Sequence, residues 1–137
     1  QVKLLSGEVR ELERFQNYGF TSQPHAGAEV AAVFVSGNRD HGLAVAIDDR
    51  RYRVSGLAAG EVAIYDDLGH RVLLSRTGIV IDGATHEIRI NNCPNVIVTD
   101  GDVTVNGGDV IADGISLKTH VHTGVQAGSS DTGAPKT

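Results

Sequence analysis

From Gly78 the chain reads GIVIDG (78–83), EIRINN (87–92), NVIVTDG (95–101), DVTVNGG (102–108), DVIADG (109–114) and ISLKTHVH (115–122). Each unit is a three- to five-residue apolar run that ends in a turn residue. The pairs Asp82-Gly83, Asp100-Gly101, Asn106-Gly107 and Asp113-Gly114 are tight-turn chemistry, because Asp, Asn and Gly tolerate positive φ. The last apolar residues of successive runs, Ile81, Ile90, Val98, Val105 and Ala112, stand 9, 8, 7 and 7 residues apart. A short repeat of strand plus turn is the signature of a solenoid.

Side chains two apart on a strand share a face. One face therefore collects Ile79, Ile81, Ile88, Ile90, Val96, Val98, Val103, Val105, Val110, Ala112, Ile115 and Leu117. The set is small and largely β-branched, so it suits only a narrow interior. A single-chain β-helix coil takes roughly twenty residues to close. Seven or eight residues supply one side of a triangle, and three chains supply three. Each buried Ile, Leu or Val contributes about 1.5–3 kcal/mol before chain entropy. Such a gain, multiplied along the strip, is large beside the net stability of a small domain. The pattern predicts an obligate homotrimer, a tapering triangular β-prism. The competing reading is an antiparallel meander with Asp-Gly hairpins.

Upstream the composition changes. All six aromatic residues lie within the first 65 of the 137 residues. Residues 1–77 hold nine basic and ten acidic residues, against three and seven in 78–137. The chain thus reads as two bodies that meet near residues 75–78. In the first, short runs at Val30 to Ser36, Leu43 to Ile47, Tyr52 to Val54, Glu61 to Tyr65 and Val72 to Ser75 lie between turn signals. Their spacing predicts a small barrel or sandwich. The run Glu8 to Phe15 is compatible with a helix or a strand, and strand is preferred.

The net charge of −5 argues against general nucleic-acid binding, which needs a basic face. No run approaches the roughly 18 apolar residues of a spanning helix. The single Cys93 has no partner for an intrachain disulfide and reads as a small buried apolar residue in a protein made in a reducing compartment. The start at Gln1 reads as a fragment lacking upstream sequence.

The most informative polar motif is Lys118-Thr119-His120-Val121-His122-Thr123-Gly124. In an extended segment His120 and His122 point the same way. On a threefold axis they give six imidazoles, which suits an octahedral iron, nickel or cobalt ion better than four-coordinate zinc. Thr119, Thr123 or backbone carbonyls are candidates to fix the ring tautomers. A full shell is structural and leaves no position for substrate. His25, His41, His70 and His86 show no paired spacing and read as surface residues. The turn carboxylates Asp82, Asp100, Asp102, Asp109, Asp113 and Asp131 would recur in threes, and a set near the axis is suited to calcium. Residues 125–137 read either as a disordered tail or as a wrap over the apex.

The run Arg14-Phe15-Gln16-Asn17-Tyr18-Gly19-Phe20, the turn Gly37-Asn38-Arg39-Asp40-His41-Gly42 and Gly60-Glu61-Val62-Ala63-Ile64-Tyr65-Asp66 resemble the central spike (baseplate) proteins of contractile-tailed bacteriophages. So do the strand repeats and the terminal His-x-His. The resemblance covers nearly the whole chain. It implies an all-β protein with an oligonucleotide/oligosaccharide-binding (OB) type barrel as a collar over 1–77. An intertwined, trimeric, triple-stranded β-helix over 78–117 follows, then an apex over 118–137. It implies an axial iron held by His120 and His122 of three chains, with calcium and chloride as further ions. The implied role is that of a non-enzymatic virion protein, assembled in the host cytoplasm and joined to other baseplate and tail-hub proteins. It would be driven through the host outer membrane on sheath contraction, with no nucleic-acid or small-molecule ligand. A receptor-binding tail fibre or adhesin is the alternative. An enzyme is disfavoured, because the distal acids sit only at turns and paired carboxylates in a cleft are lacking.

Overall fold

A ladder of alternating residues organises the first half of the chain. In the computed structural model, which describes residues 1–4, 7–126 and 128, the strand β4 (Glu29–Phe34) pairs antiparallel with β5 (Gly42–Asp48). Along β4 exposure alternates, with Val30, Ala32 and Phe34 turned inward and Ala31 and Val33 outward. The register shifts between Ala31 and Ala32, a bulge that bends the pair. Between the two strands the chain tightens into a 3₁₀ turn at Val35–Gly37. The short strand β3 (Glu13–Arg14) lies parallel to β5 on its other edge, giving the order β3-β5-β4. Gly42 and Ala44 on the central strand are the buried residues of this sheet, with Ala44 at 4% exposure. A side chain at Gly42 would press on the Leu12 and Phe34 side chains, which would have to shift to admit it.

Two further ladders complete this half. Strands β1 (Val2–Lys3) and β2 (Val9–Arg10) pair antiparallel. Strands β6 (Val62–Tyr65), β7 (Arg71–Leu74) and β8 (Ile79–Asp82) form an antiparallel sheet in sequence order. In the β7–β8 connection the Ser75 hydroxyl oxygen accepts the Gly78 and Thr77 N–H groups at 3.1 and 3.2 Å. Arg71 and Asp82, opposite one another in the ladder, form an ion pair at 3.1 Å.

The expected strands at 30–36, 43–47, 61–65 and 72–75 are thus present within a residue or two, and Glu8 to Phe15 is extended in pieces. Tyr52 to Val54 is not a strand. The carbonyl of Asp49 accepts both the Tyr52 and Arg53 N–H groups at 3.1 Å and turns the chain there.

The chain divides into two compact units, 1–89 and 90–137. The division falls beyond the composition break because β8 hydrogen-bonds into the sheet of the first unit. Among the described residues of the second unit the strands are β9 (Ile111–Ala112) and β10 (Ile115–Ser116), an antiparallel hairpin. Its two-residue loop is Asp113-Gly114, with φ of 49° and 83°. Positive φ at both positions is the type I′ geometry that matches strand twist. No strand occurs over residues 87–108, so the other Asp-Gly and Asn-Gly pairs close no hairpin. The fold of the described residues is all-β, with no α-helix.

Candidate metal centre

The hairpin β9–β10 sets the stage for the histidine pair. Asp109 stands just before β9 and gathers the far side of the hairpin. Its Oδ1 accepts the Val110 N–H at 2.7 Å and the Lys118 N–H at 3.1 Å, and its Oδ2 accepts the Ser116 hydroxyl. The Ser116 hydroxyl bond, reinforced by the two backbone N–H groups, holds the Asp109 carboxyl below the usual carboxylate range. Ser116 Oγ in turn accepts from the Thr119 N–H at 2.9 Å and meets the Thr119 hydroxyl at 2.8 Å. Leu117 to Thr119 therefore form a turn and not a continued strand.

That turn delivers His120. Its Nδ1 lies 2.9 Å from the Ser116 carbonyl oxygen and 3.2 Å from that of Leu117. Carbonyl oxygens only accept, so Nδ1 carries the proton and Nε2 presents its lone pair. Backbone carbonyls, one of the candidates from sequence, thus fix the tautomer, while Thr119 braces the turn. The His122 ring stands edge-on to His120, with centroids 5.1 Å apart and planes at 83°. The structure brings the two predicted ligands together. Among the described residues no third His, Cys, Asp or Glu joins them as a ligand set. Two imidazoles with one Nε2 presented suit a borderline transition ion whose remaining donors come from elsewhere.

Other expectations fare differently. Cys93 is exposed, its thiol donating to the Asn95 carbonyl at 2.7 Å, and is not a buried apolar residue in the single chain. Asp109, one of the turn carboxylates considered for calcium, is engaged by its own hairpin. Asp131 and most of the tail (127 and 129–137) lie outside the described residues. His70 and His86, read from sequence as unpaired surface residues, are joined by a hydrogen bond of 3.0 Å between His70 Nε2 and His86 Nδ1. Sixteen residues separate them, so no local spacing announces the pair. The first unit also holds a cavity of about 630 Å³ whose lining includes Phe15, Phe20, His25, Tyr52 and Tyr65. No helix among the described residues is long and apolar enough to cross a membrane.

Comparison with known proteins follows the same division of the chain. Residues 1–51 match the family model described as Bacteriophage Mu Gp45, N-terminal. Residues 114–136, which include both apex histidines, match the GpV Apex motif. The baseplate puncturing device gp45 of Escherichia phage Mu is 35% identical over 95% of this chain and 77% of its own length. The Mu-like prophage FluMu protein gp45 of Haemophilus influenzae is 38% identical over 96% of this chain and 75% of its own. No solved structure matches the chain significantly. These matches define the class, a structural protein of the phage tail baseplate. Within that class the chain belongs to the bacteriophage Mu gp45 family.

Proposed function

We propose that this chain forms the trimeric central spike tip of the baseplate, which pierces the host outer membrane when the tail sheath contracts. The observation that carries the reading is the open apolar strip of the distal half. Ile79, Val96, Val103 and Leu117 are between 66% and 71% exposed in the single chain. The backbone over 87–108 has no ladder of its own. Unpaired strand-forming backbone beside an exposed apolar strip asks for a partner that satisfies both. Two further copies of the same segment supply the missing ladder and the missing cover together, as a triple-stranded β-helix. The first unit then serves as the collar, an OB-type barrel closed from its three ladders.

In this reading His120 and His122 of three chains surround an axial iron. The bound ion supplies a crosslink between the three chains. Ser116 and Leu117 orient the His120 ring, and Asp109 holds the turn that positions it. A shell filled by six nitrogens has no open position, so the ion resists fraying at the tip and performs no turnover. Calcium and chloride are further ions of the same assembly. Contacts to other baseplate and hub proteins fall to the collar. The work of piercing comes from the sheath, so the chain needs no apolar insertion segment. Its task is to stay closed under axial load, and a prism without free strand edges meets it.

Sedimentation of the native protein combined with elemental analysis tests the proposal. A species of three chains carrying one iron is the expected result. A monomer in dilute buffer would remove the basis for the spike.

A second reading, a receptor-binding tail fibre or adhesin, draws on the aromatic-lined cavity of the first unit. Specific retention on a glycan array, lost on Tyr52→Ala, would favour it.

A further inference from the structure

We propose that His70 and His86 form a second transition-metal site, in the first unit, with Asp66 behind it as the orienting carboxylate. The site lies wholly within that unit, so the inference stands apart from the spike reading.

The local chemistry starts at the β6–β7 turn. Asp66 Oδ1 accepts the Leu68 and His70 N–H groups, both at 3.0 Å, which closes the turn. Asp66 Oδ2 is left for the His70 ring and accepts its Nδ1–H at 2.6 Å. A carboxylate on Nδ1 fixes the proton there and turns a lone pair outward at Nε2. This arrangement of carboxylate, imidazole and metal recurs behind metal ligands, where the carboxylate raises the basicity of the ring.

The opposite side comes from the end of β8. The ladder places Arg71 against Asp82, so His70 falls opposite Gly83. A turn closed by the His86 N–H on the Gly83 carbonyl, at 2.7 Å, then folds His86 back over His70. Ala84 and Thr85 take positive φ, 45° and 74°, to make that return. Asp82, the other nearby carboxylate, is occupied by Arg71 and by the Ala84 N–H at 2.9 Å. The local charge available to balance a cation is therefore that of Asp66.

The distances fit a shared ion. Two imidazole nitrogens about 2.1 Å from one ion and at right angles stand about 3.0 Å apart, with ring centroids about 4.6 Å apart. A straight nitrogen-to-nitrogen hydrogen bond of about 3.0 Å instead puts the centroids about 5.3 Å apart. The observed values are 3.0 Å between nitrogens and 4.8 Å between centroids, with the planes at 79°. The in-plane axes of the two ring nitrogens thus converge on a point beside the line that joins them. His70 and His86 take two adjacent positions on a divalent first-row cation such as nickel or copper, and water fills the rest. When the ion enters, the hydrogen bond between the rings is replaced: His86 ligates through Nδ1, and the proton it held there moves to its Nε2.

The test uses the full chain carrying His120→Ala and His122→Ala, which removes the apex pair, titrated with nickel(II) by calorimetry. One nickel per chain is expected. Adding His86→Gln, which retains a donor toward His70 and loses the ligand nitrogen, abolishes that binding. Adding Asp66→Asn weakens it by about 10–100-fold. Circular dichroism confirms that each variant is folded. If the apex substitutions prevent folding, the same difference of one nickel per chain is read between the unaltered protein and its His86→Gln variant. Binding undiminished by His86→Gln, or no loss of nickel between these last two proteins, overturns the proposal.

Discussion

Residues 29–82 and residues 90–126 carry the same alternation of apolar and polar side chains, yet the first stretch turns it into two three-stranded intrachain sheets and the second into one short hairpin. In the first unit β4 to β8 find partners within about twenty residues of sequence, and Asp66 and Ser75 close the β6–β7 and β7–β8 turns with their own side chains. In the second, among the described residues, one two-residue hairpin forms and the remaining repeats lie unpaired. The difference lies in turn geometry. A hairpin needs a loop that reverses the strand, and Asp113-Gly114 does so with both residues at positive φ. At Asp100-Gly101 only Asp100 has positive φ, and at Asn106-Gly107 only Gly107 does. These corners bend the chain without folding it back. The same hydrophobic pattern therefore closes on itself in one region and leaves an apolar strip open in the next, the strip on which the proposed trimer rests.

The largest expected break in this contrast comes from a charge on the distal strip. Val98→Asp places a carboxylate where three copies would meet, and burying it unpaired costs several kcal/mol per chain, about 3–5 by analogy with broken buried pairs. Sedimentation is expected to show a 14.4 kDa monomer whose first unit keeps its strand signal by circular dichroism. Next is the double change His120→Ala with His122→Ala. It is expected to abolish bound iron by elemental analysis and to speed amide exchange over residues 109–126, with the trimer still assembled. Unchanged iron content would refute the apex site. In the first unit Gly42→Ala forces a methyl group against Leu12 and Phe34. A loss of about 1–3 kcal/mol in urea unfolding is expected, with no change in metal content. Gly114→Ala strains the left-handed loop by about 1 kcal/mol and should lower the melting temperature slightly.

The smallest effect is a pH dependence. The Asp109 carboxyl is held below its unfolded value by Ser116 and two backbone N–H groups. Its contribution is therefore present above the ordinary carboxylate range and fades as pH falls through its lowered folded value. Protection of the Val110 and Lys118 amides should fall in that acid window. Asp109→Asn should remove the pH dependence.

Much of this was legible in the sequence. The β4 to β7 ladders follow from runs such as Leu43 to Ile47, where period-two alternation lies between strong turn residues. His120 and His122 were legible because their spacing of two is itself geometry. Tyr52 to Val54 misleads because its residue types suit a strand, while the Asp49 carbonyl upstream captures the backbone N–H groups of 52 and 53. His70 and His86 were hidden because their meeting depends on ladder register. Only once Arg71 is known to face Asp82 does the turn at 83–86 bring the second ring home. The bracing of the apex was hidden for the same reason, since Asp109 reaches Ser116 and Lys118 only across the hairpin.

The missing ladder over 87–108 also bears on how the protein is made. If its distal half takes shape only when three chains meet, the rate rises steeply with concentration and a lone nascent copy waits half-formed. Halving the supply of chains would then cut the yield of finished tips by far more than half. Synthesis in an abundant burst, with the collars gathering the threads before the needle zips, is the regime in which such a polypeptide matures without clumping.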